Sequence, residues 1–131
     1  MEWHTCVEEI MSSPPITIDA YSRLDEAAKK MYQNRVGSIV VVDESNSVVG
    51  ILTKSDFLYF IASGIVKRNP RVAEVMHSEP VVAKPYESVG DAYERMKTLG
   101  IRHLPVVDDE GVVVGVLSMR DILFYVCKPQ L

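Results

Sequence analysis

VEEIMSSPPITIDAYSRLDEAAKKM (Val7–Met31) lies over VAEVMHSEPVVAKPYESVGDAYERM (Val72–Met96) without a gap. The register continues where SIVVVDESNSVVGILTKSDFLYFI (Ser38–Ile61) meets HLPVVDDEGVVVGVLSMRDILFYV (His103–Val126). The offset, Val7 to Val72, is 65 residues. Identical pairs include Met11/Met76, Pro15/Pro80, Tyr21/Tyr86, Ala27/Ala92, Asp43/Asp108, Gly50/Gly115, Leu52/Leu117 and Asp56/Asp121. Most other matches exchange one aliphatic residue for another. A gapless alignment of this length with turn residues in register is a duplication, and it sets the reading of everything else.

Each copy reads the same way. A short apolar stretch after proline, Ile16–Ile18 or Val81–Ala83, is a candidate strand. Ser22-x-x-Asp25 and Ser88-x-x-Asp91 have the form of capping boxes opening a helix. Behind them Leu24, Ala27, Ala28 and Met31, or Val89, Ala92, Tyr93 and Met96, recur at helical spacing and give one apolar face. Next, Ser38–Val42 and Val48–Leu52 flank Asp43–Ser47, and Leu104–Val107 and Val112–Leu117 flank Asp108–Gly111. β-Branched runs across such turns predict paired strands. A second helix starts at Thr53 or Ser118. The order is β-α-β-β-α, twice: an α+β (α/β) chain with repeats at 7–61 and 72–126. Residues 62–71, with Lys67, Arg68 and Arg71, read as a solvated linker.

With 131 residues, 47% of them hydrophobic, the chain can build a core without disulfide or metal staples. A net charge of −4 and no basic recognition helix argue against nucleic acid as the partner. No apolar run approaches the roughly 20 residues that span a bilayer, and MEWHTCVEE lacks the pattern of a signal peptide. A soluble, cytoplasmic domain is expected. Cys6 and Cys127 have no zinc or redox spacing and read as two buried thiols, a disulfide between the chain ends being the alternative. His4, His77 and His103 have no ligand-like spacing, and no G-x-S-x-G, H-E-x-x-H or G-x-G-x-x-G occurs. Catalysis is therefore set aside, and no metal or required cofactor is expected.

GILTKSD (Gly50–Asp56) and GVLSMRD (Gly115–Asp121) place a hydroxyl residue where a strand ends and a helix begins, with an aspartate three residues on. As caps alone they stabilise a helix start by about 1 kcal/mol. A free helix N-terminus also favours anions, and a first-turn carboxylate can accept both hydrogen bonds of a ribose diol. Hydroxyl, carboxylate and amides together suit a ribose phosphate.

The gapless duplication, the β-α-β-β-α order and G-[IV]-L-[TS]-x-x-D closing each copy resemble a tandem pair of CBS domains, named after cystathionine β-synthase, such a pair being a Bateman module. GIRHLPVVDDEGVVVGVLSMRDIL (Gly100–Leu123) and VGSIVVVDESNSVVGILTKSDFL (Val36–Leu58) carry the likeness, which covers about Val7 to Val126. The resemblance implies two repeats packed as one pair about a pseudo-twofold axis, with two clefts for adenosine-containing ligands. One cleft would combine Thr53 and Asp56 with Val82, Lys84, Arg102 and His103. The other would combine Ser118, Arg120 and Asp121 with Thr17, Ile18, Ser38 and Ile39. Asp56 and Asp121 would hold ribose hydroxyls, Thr53 and Ser118 would sit near phosphates, and the strand backbones would read the adenine edge. Arg102 and His103 could instead be solvated strand ends. Gly37 stands where Arg102 stands in the other copy, and Val40 where Pro105 does, so the second cleft is poorer in phosphate-binding charge.

The resemblance implies a stand-alone regulatory sensor for AMP, with ATP, ADP or S-adenosylmethionine as other regulatory ligands. It also implies a homodimer and a separate effector protein. The alternative is a ligand-free assembly domain whose capping boxes are only caps.

Overall fold

The computed structural model describes residues 4–127. Its Cα atoms cluster into two compact units. The first is Ile16–Pro80; the second joins the residues up to Pro15 to those from Val81 onward. Compact unit and sequence repeat are thus out of phase: each unit draws its opening 3-10 or helical turn and the segment after it from the other repeat.

In the first unit, β1 (Thr17–Asp19) runs parallel to β2 (Ser38–Val42), and β2 pairs antiparallel with β3 (Val48–Thr53). Helix α1 (Leu24–Asn34) connects β1 to β2, and α2 (Lys54–Ser63) follows β3 directly. The short helix α3 (Val72–Val75) leads into β4 (His77–Ser78), which lies antiparallel to β3 and closes the sheet order β1-β2-β3-β4. Strand β2 is buried at all five positions, so its apolar run SIVVV does not alternate. Leu24, Ala27 and Met31 of α1 turn one stripe onto a core with Ile39, Val41, Leu52, Phe60 and Val72.

The second unit repeats this plan. Ala83 bridges Val106 in parallel, β5 (His103–Val107) pairs antiparallel with β6 (Val113–Ser118), and Ser12 bridges Val116 antiparallel. Ala83 and Ser12 thus stand as single bridges where β1 and β4 stand in the first unit. Helices α4 (Val89–Leu99) and α5 (Met119–Val126) match α1 and α2. Val7, in a 3-10 turn, is fully buried with Val89, Met96, Leu104 and Leu117. Both hairpin turns are closed by one aspartate. Asp43 Oδ1 accepts from the amides of Ser45 and Ser47, and Asp108 Oδ1 from those of Glu110 and Val112, at 2.9–3.0 Å.

Three expectations need correction. Ser22 does not cap α1: the N-cap is Arg23, whose amide donates to Glu26 Oε1 at 3.1 Å. Ser88 does cap α4, its Oγ accepting from the Asp91 amide at 3.1 Å. Ser22 and Ser88 are not equivalent by the 65-residue offset; Arg23 and Ser88 are. The 62–71 segment is more than a connector, although its Lys67, Arg68 and Arg71 are exposed. It completes α2, forms a 3-10 turn over Ile65–Arg68, and supplies Asn69 Oδ1 to the Asp25 amide in the first turn of α1, at 2.9 Å. Arg71 donates to the Tyr21 carbonyl at 2.7 Å. Finally, the cysteines are free thiols, as expected, but neither is buried: Cys6 is half-buried and Cys127 exposed.

Candidate functional site

Each unit brings its hydroxyl-x-x-Asp motif to the same place, the point where the second strand of its hairpin turns into a helix. Thr53 is extended at the N-cap of α2, and Ser118 at the N-cap of α5. The Thr53 amide donates to Asp56 Oδ2 at 2.8 Å, Thr53 Oγ1 donates to the same oxygen at 3.1 Å, and the Asp56 amide donates back to Oγ1 at 3.4 Å. In the second unit the Ser118 amide donates to Asp121 Oδ2 at 2.9 Å, and the Asp121 amide to Ser118 Oγ at 3.0 Å. These are reciprocal capping boxes. They also fix both carboxylates in one orientation with Oδ1 left for another donor.

That donor was not foreseen in the sequence. Asp56 Oδ1 lies 2.7 Å from His77 Nε2, and Asp121 Oδ1 accepts from Ser12 Oγ at 3.1 Å. Ser12 and His77 are equivalent by the 65-residue offset, which was the available signal. Neither is near its aspartate in the chain; the antiparallel pairs Ile51–His77 and Val116–Ser12 bring them there.

The strand residues beside these helix starts are also brought together within each unit. Ser38 is opposite Thr53 and His103 opposite Ser118 in the ladders. The first amide of each helix, Lys54 or Met119, donates to the carbonyl of Gly37 or Arg102, at 3.0 and 2.9 Å. Ser38 is buried, and Ile18 and Ile39 belong to the core, so the side chains of those two isoleucines serve packing and only their backbones could serve a ligand. Two strand carbonyls expected to read adenine already accept from cations: Thr17 O from Lys30 Nζ at 2.6 Å, and Val82 O from Arg95 Nη1 at 2.9 Å. Lys84 donates to the Asp108 carbonyl at 2.9 Å and sits 3.5 Å from Asp109, which holds it to its own hairpin. Asp109 also accepts from the Tyr86 hydroxyl at 2.9 Å, and this bond, with a little desolvation and the charges of Asp109 and Glu87, raises the phenol above its ordinary value.

Charge separates the units. In the second, an open groove of about 680 Å³ is lined by Arg102, His103, Ser118 and Arg120 together with Tyr93, Met119, Ile122, Leu123 and Val126. The Arg120 guanidinium also lies over the Phe124 ring, 5.3 Å from its centroid. At the equivalent positions of the first unit stand Gly37, Ser38 and Ser55, with Lys54 in place of Met119. No cluster of His, Cys, Asp and Glu able to hold a metal ion occurs among the described residues. No helix among them is long and apolar enough to cross a membrane.

The profile of the CBS domain matches the sequence twice, over residues 7–63 and 72–128. The chain belongs to the CBS domain family. An uncharacterized protein of Methanopyrus kandleri is 33% identical over 118 residues, which cover 89% of this chain and 60% of that one. The L-aspartate semialdehyde sulfurtransferase of Methanocaldococcus jannaschii is also 33% identical over 118 residues, covering 90% of this chain but 22% of the enzyme. The CBS pair thus spans less than two thirds of these relatives' length. Among solved structures, the CBS domain pair of protein MJ0100 in complex with 5′-methylthioadenosine and S-adenosyl-L-methionine superposes with a TM-score of 0.83. It is 32% identical, with 93% of this chain and 95% of that one covered. A CBS domain protein from Pyrobaculum aerophilum complexed with AMP gives 0.82 at 27% identity, covering 96% and 93%.

Proposed function

We propose that this CBS pair is a regulatory module that binds an adenosine-containing ligand, AMP foremost, with ADP, ATP or S-adenosylmethionine as alternatives, and performs no chemistry of its own. The observation that carries the reading is the pair of equivalent helix starts. Each presents an oriented carboxylate at the start of a helix, in a family whose neighbours bind AMP or S-adenosylmethionine. Asp56 and Asp121 accept the ribose hydroxyls. Thr53 and Ser118, at the positive ends of α2 and α5, lie where phosphate is favoured. Arg102 and Arg120 supply charge where the first unit has Gly37 and Ser55, His103 lines the same groove, and Lys84 is released from its hairpin to join them. Val82, Thr17, Ile18, Ser38 and Ile39 contribute backbone and shape. Free thiols at Cys6 and Cys127 suit the reducing cytoplasm.

A homodimer is part of the proposal. Leu58, Tyr59 and Ile61 on α2 and Leu123, Phe124 and Val126 on α5 are exposed apolar side chains that a second copy could cover. The same faces favour the second reading, an assembly domain for a separate effector protein whose capping boxes are only caps. Calorimetry with AMP separates the two. A micromolar site corresponds to about −8 kcal/mol, and Asp121→Ala, which removes a charge-assisted acceptor, should weaken it by about 1.5–3 kcal/mol. Absence of heat with AMP, ATP and S-adenosylmethionine at millimolar concentration leaves the assembly reading.

A further inference from the structure

In the second unit a carboxylate is built in between the segment around Ala83 and helix α4. Glu87 Oε1 accepts from the Lys84 amide at 3.0 Å, and Oε2 from Arg95 Nη2 at 2.7 Å. Arg95 Nη1 donates in turn to the Val82 carbonyl at 2.9 Å. Both side chains are largely withdrawn from water, Arg95 at 32% and Glu87 at 21% exposure. By the 65-residue offset the first unit has Thr17 for Val82, Asp19 for Lys84, Ser22 for Glu87 and Lys30 for Arg95. The cation keeps its place, since Lys30 Nζ donates to the Thr17 carbonyl at 2.6 Å. The carboxylate has no counterpart, because the Ser22 side chain supplies none. Instead the first unit has an open groove of about 520 Å³ between β1 and α1, lined by Asp19, Ser22, Glu26, Lys29 and Lys30 among others.

We propose that this groove binds a free α-amino acid, whose carboxylate takes the position that Glu87 fills in the second unit. An ammonium carries several N–H donors, of which Lys30 spends one on Thr17. The Asp19 amide stands where the Lys84 amide meets Glu87. Charge decides the rest of the ligand. Asp19 puts a carboxylate where the second unit has Lys84, and Glu26 adds another beside Lys29 and Lys30. A simple anion such as phosphate would meet both carboxylates, whereas a molecule that carries both charges is complementary to the groove. Backbone bonds orient the two acids: Asp19 Oδ1 accepts from the Tyr21 amide at 2.7 Å, and Glu26 Oε1 from the Arg23 amide at 3.1 Å. The ligand's ammonium pairs with one of them, and its side chain lies in the open groove. Of the residues assigned to adenosine above, only Ile18 lines this groove, so its occupancy does not depend on that reading.

The test follows the Asp19, Ser22 and Lys30 amides of the full chain by NMR. Glycine, L-alanine and L-glutamine are titrated singly, with acetate and ethylamine as half-ligands that carry one charge each. At least one amino acid should shift the three amides saturably. Both half-ligands should bind roughly tenfold more weakly, each having lost one charge-assisted pair. Lys30→Met should weaken the amino acid by about the same factor. Ser22→Glu should set a carboxylate against Lys30 as Glu87 is set against Arg95, and so abolish the response in a folded chain. No saturable shift with any of the three amino acids, or a response that survives Ser22→Glu, overturns the proposal. Acetate binding as tightly as the amino acids overturns it in favour of a plain anion site.

Discussion

Single side chains in this CBS pair are set by what their neighbours leave unsatisfied. The first turn of α4 has orphan amides, and Ser88 Oγ takes one of them at 3.1 Å. Helix α1 solves the same problem with Glu26 and with Asn69 from beyond α2. Ser22, one residue outside that arrangement, contributes through its backbone: its carbonyl accepts from the Val72 amide at 2.8 Å. Ser88→Ala should therefore cost about 1 kcal/mol of stability, while Ser22→Ala should stay within about 0.5 kcal/mol. Urea unfolding midpoints at unchanged slope measure both. Equal losses would return the cap to Ser22. In the sequence the S-x-x-D spelling at Ser22 and Ser88 looked like one device used twice, although the two serines are 66 residues apart and the repeat is 65. A local pattern matched by chance, and the offset was the more reliable guide because it tracks backbone position.

At the scale of elements, the glycine in G-[IV]-L-[TS]-x-x-D belongs to strand packing rather than to a phosphate loop. Strand β4 crosses β3 so closely at Gly50 that a Cβ there would run into the Met76 thioether and stand 3.0 Å from the His77 carbonyl. Gly115 meets Met11 and the Ser12 carbonyl in the same way, again at 3.0 Å from the oxygen. The methionines can bend away; the carbonyls are backbone and can move only with their strands. Gly50→Ala should push β4 off β3, cost about 1–3 kcal/mol, and lengthen the His77–Asp56 contact. Gly115→Ala should do the same to Ser12 and Asp121. Thermal unfolding gives the first effect, and the His77 ring resonances report the second for Gly50→Ala. A stability loss with unchanged ring shifts would mean that only the methionine had moved. The β-α-β-β-α order of the repeats, both hairpins and the two helix starts at Thr53 and Ser118 were legible in the sequence, because each follows from local period and turn chemistry; α3 and β4 were not. The approach of Ser12 and His77 to the aspartates was not, since it depends on one extended segment docking far along the chain.

At the scale of the molecule, the phase between repeat and unit decides which core a residue serves. Val7 opens the first sequence repeat yet is fully buried among Val89, Met96, Leu104 and Leu117. Its equivalent Val72 opens the second repeat and is buried with Leu24, Ile39, Leu52 and Phe60. Duplication of a segment whose first turn packs onto the other copy's sheet ties each core to a chain segment from outside its own repeat, so a lone repeat lacks part of its core. Truncating either valine removes two methyl groups from a closed interior, at a cost of about 2 kcal/mol. The two losses should fall on different halves. Val7→Ala should speed hydrogen exchange in β5, β6 and α4 and spare β2, β3 and α1; Val72→Ala should do the reverse. If Val7→Ala instead loosened β2 and β3, the sequence repeat would be the cooperative unit after all. Exchange spreading equally through all six elements for both variants would mean that the two cores unfold as one.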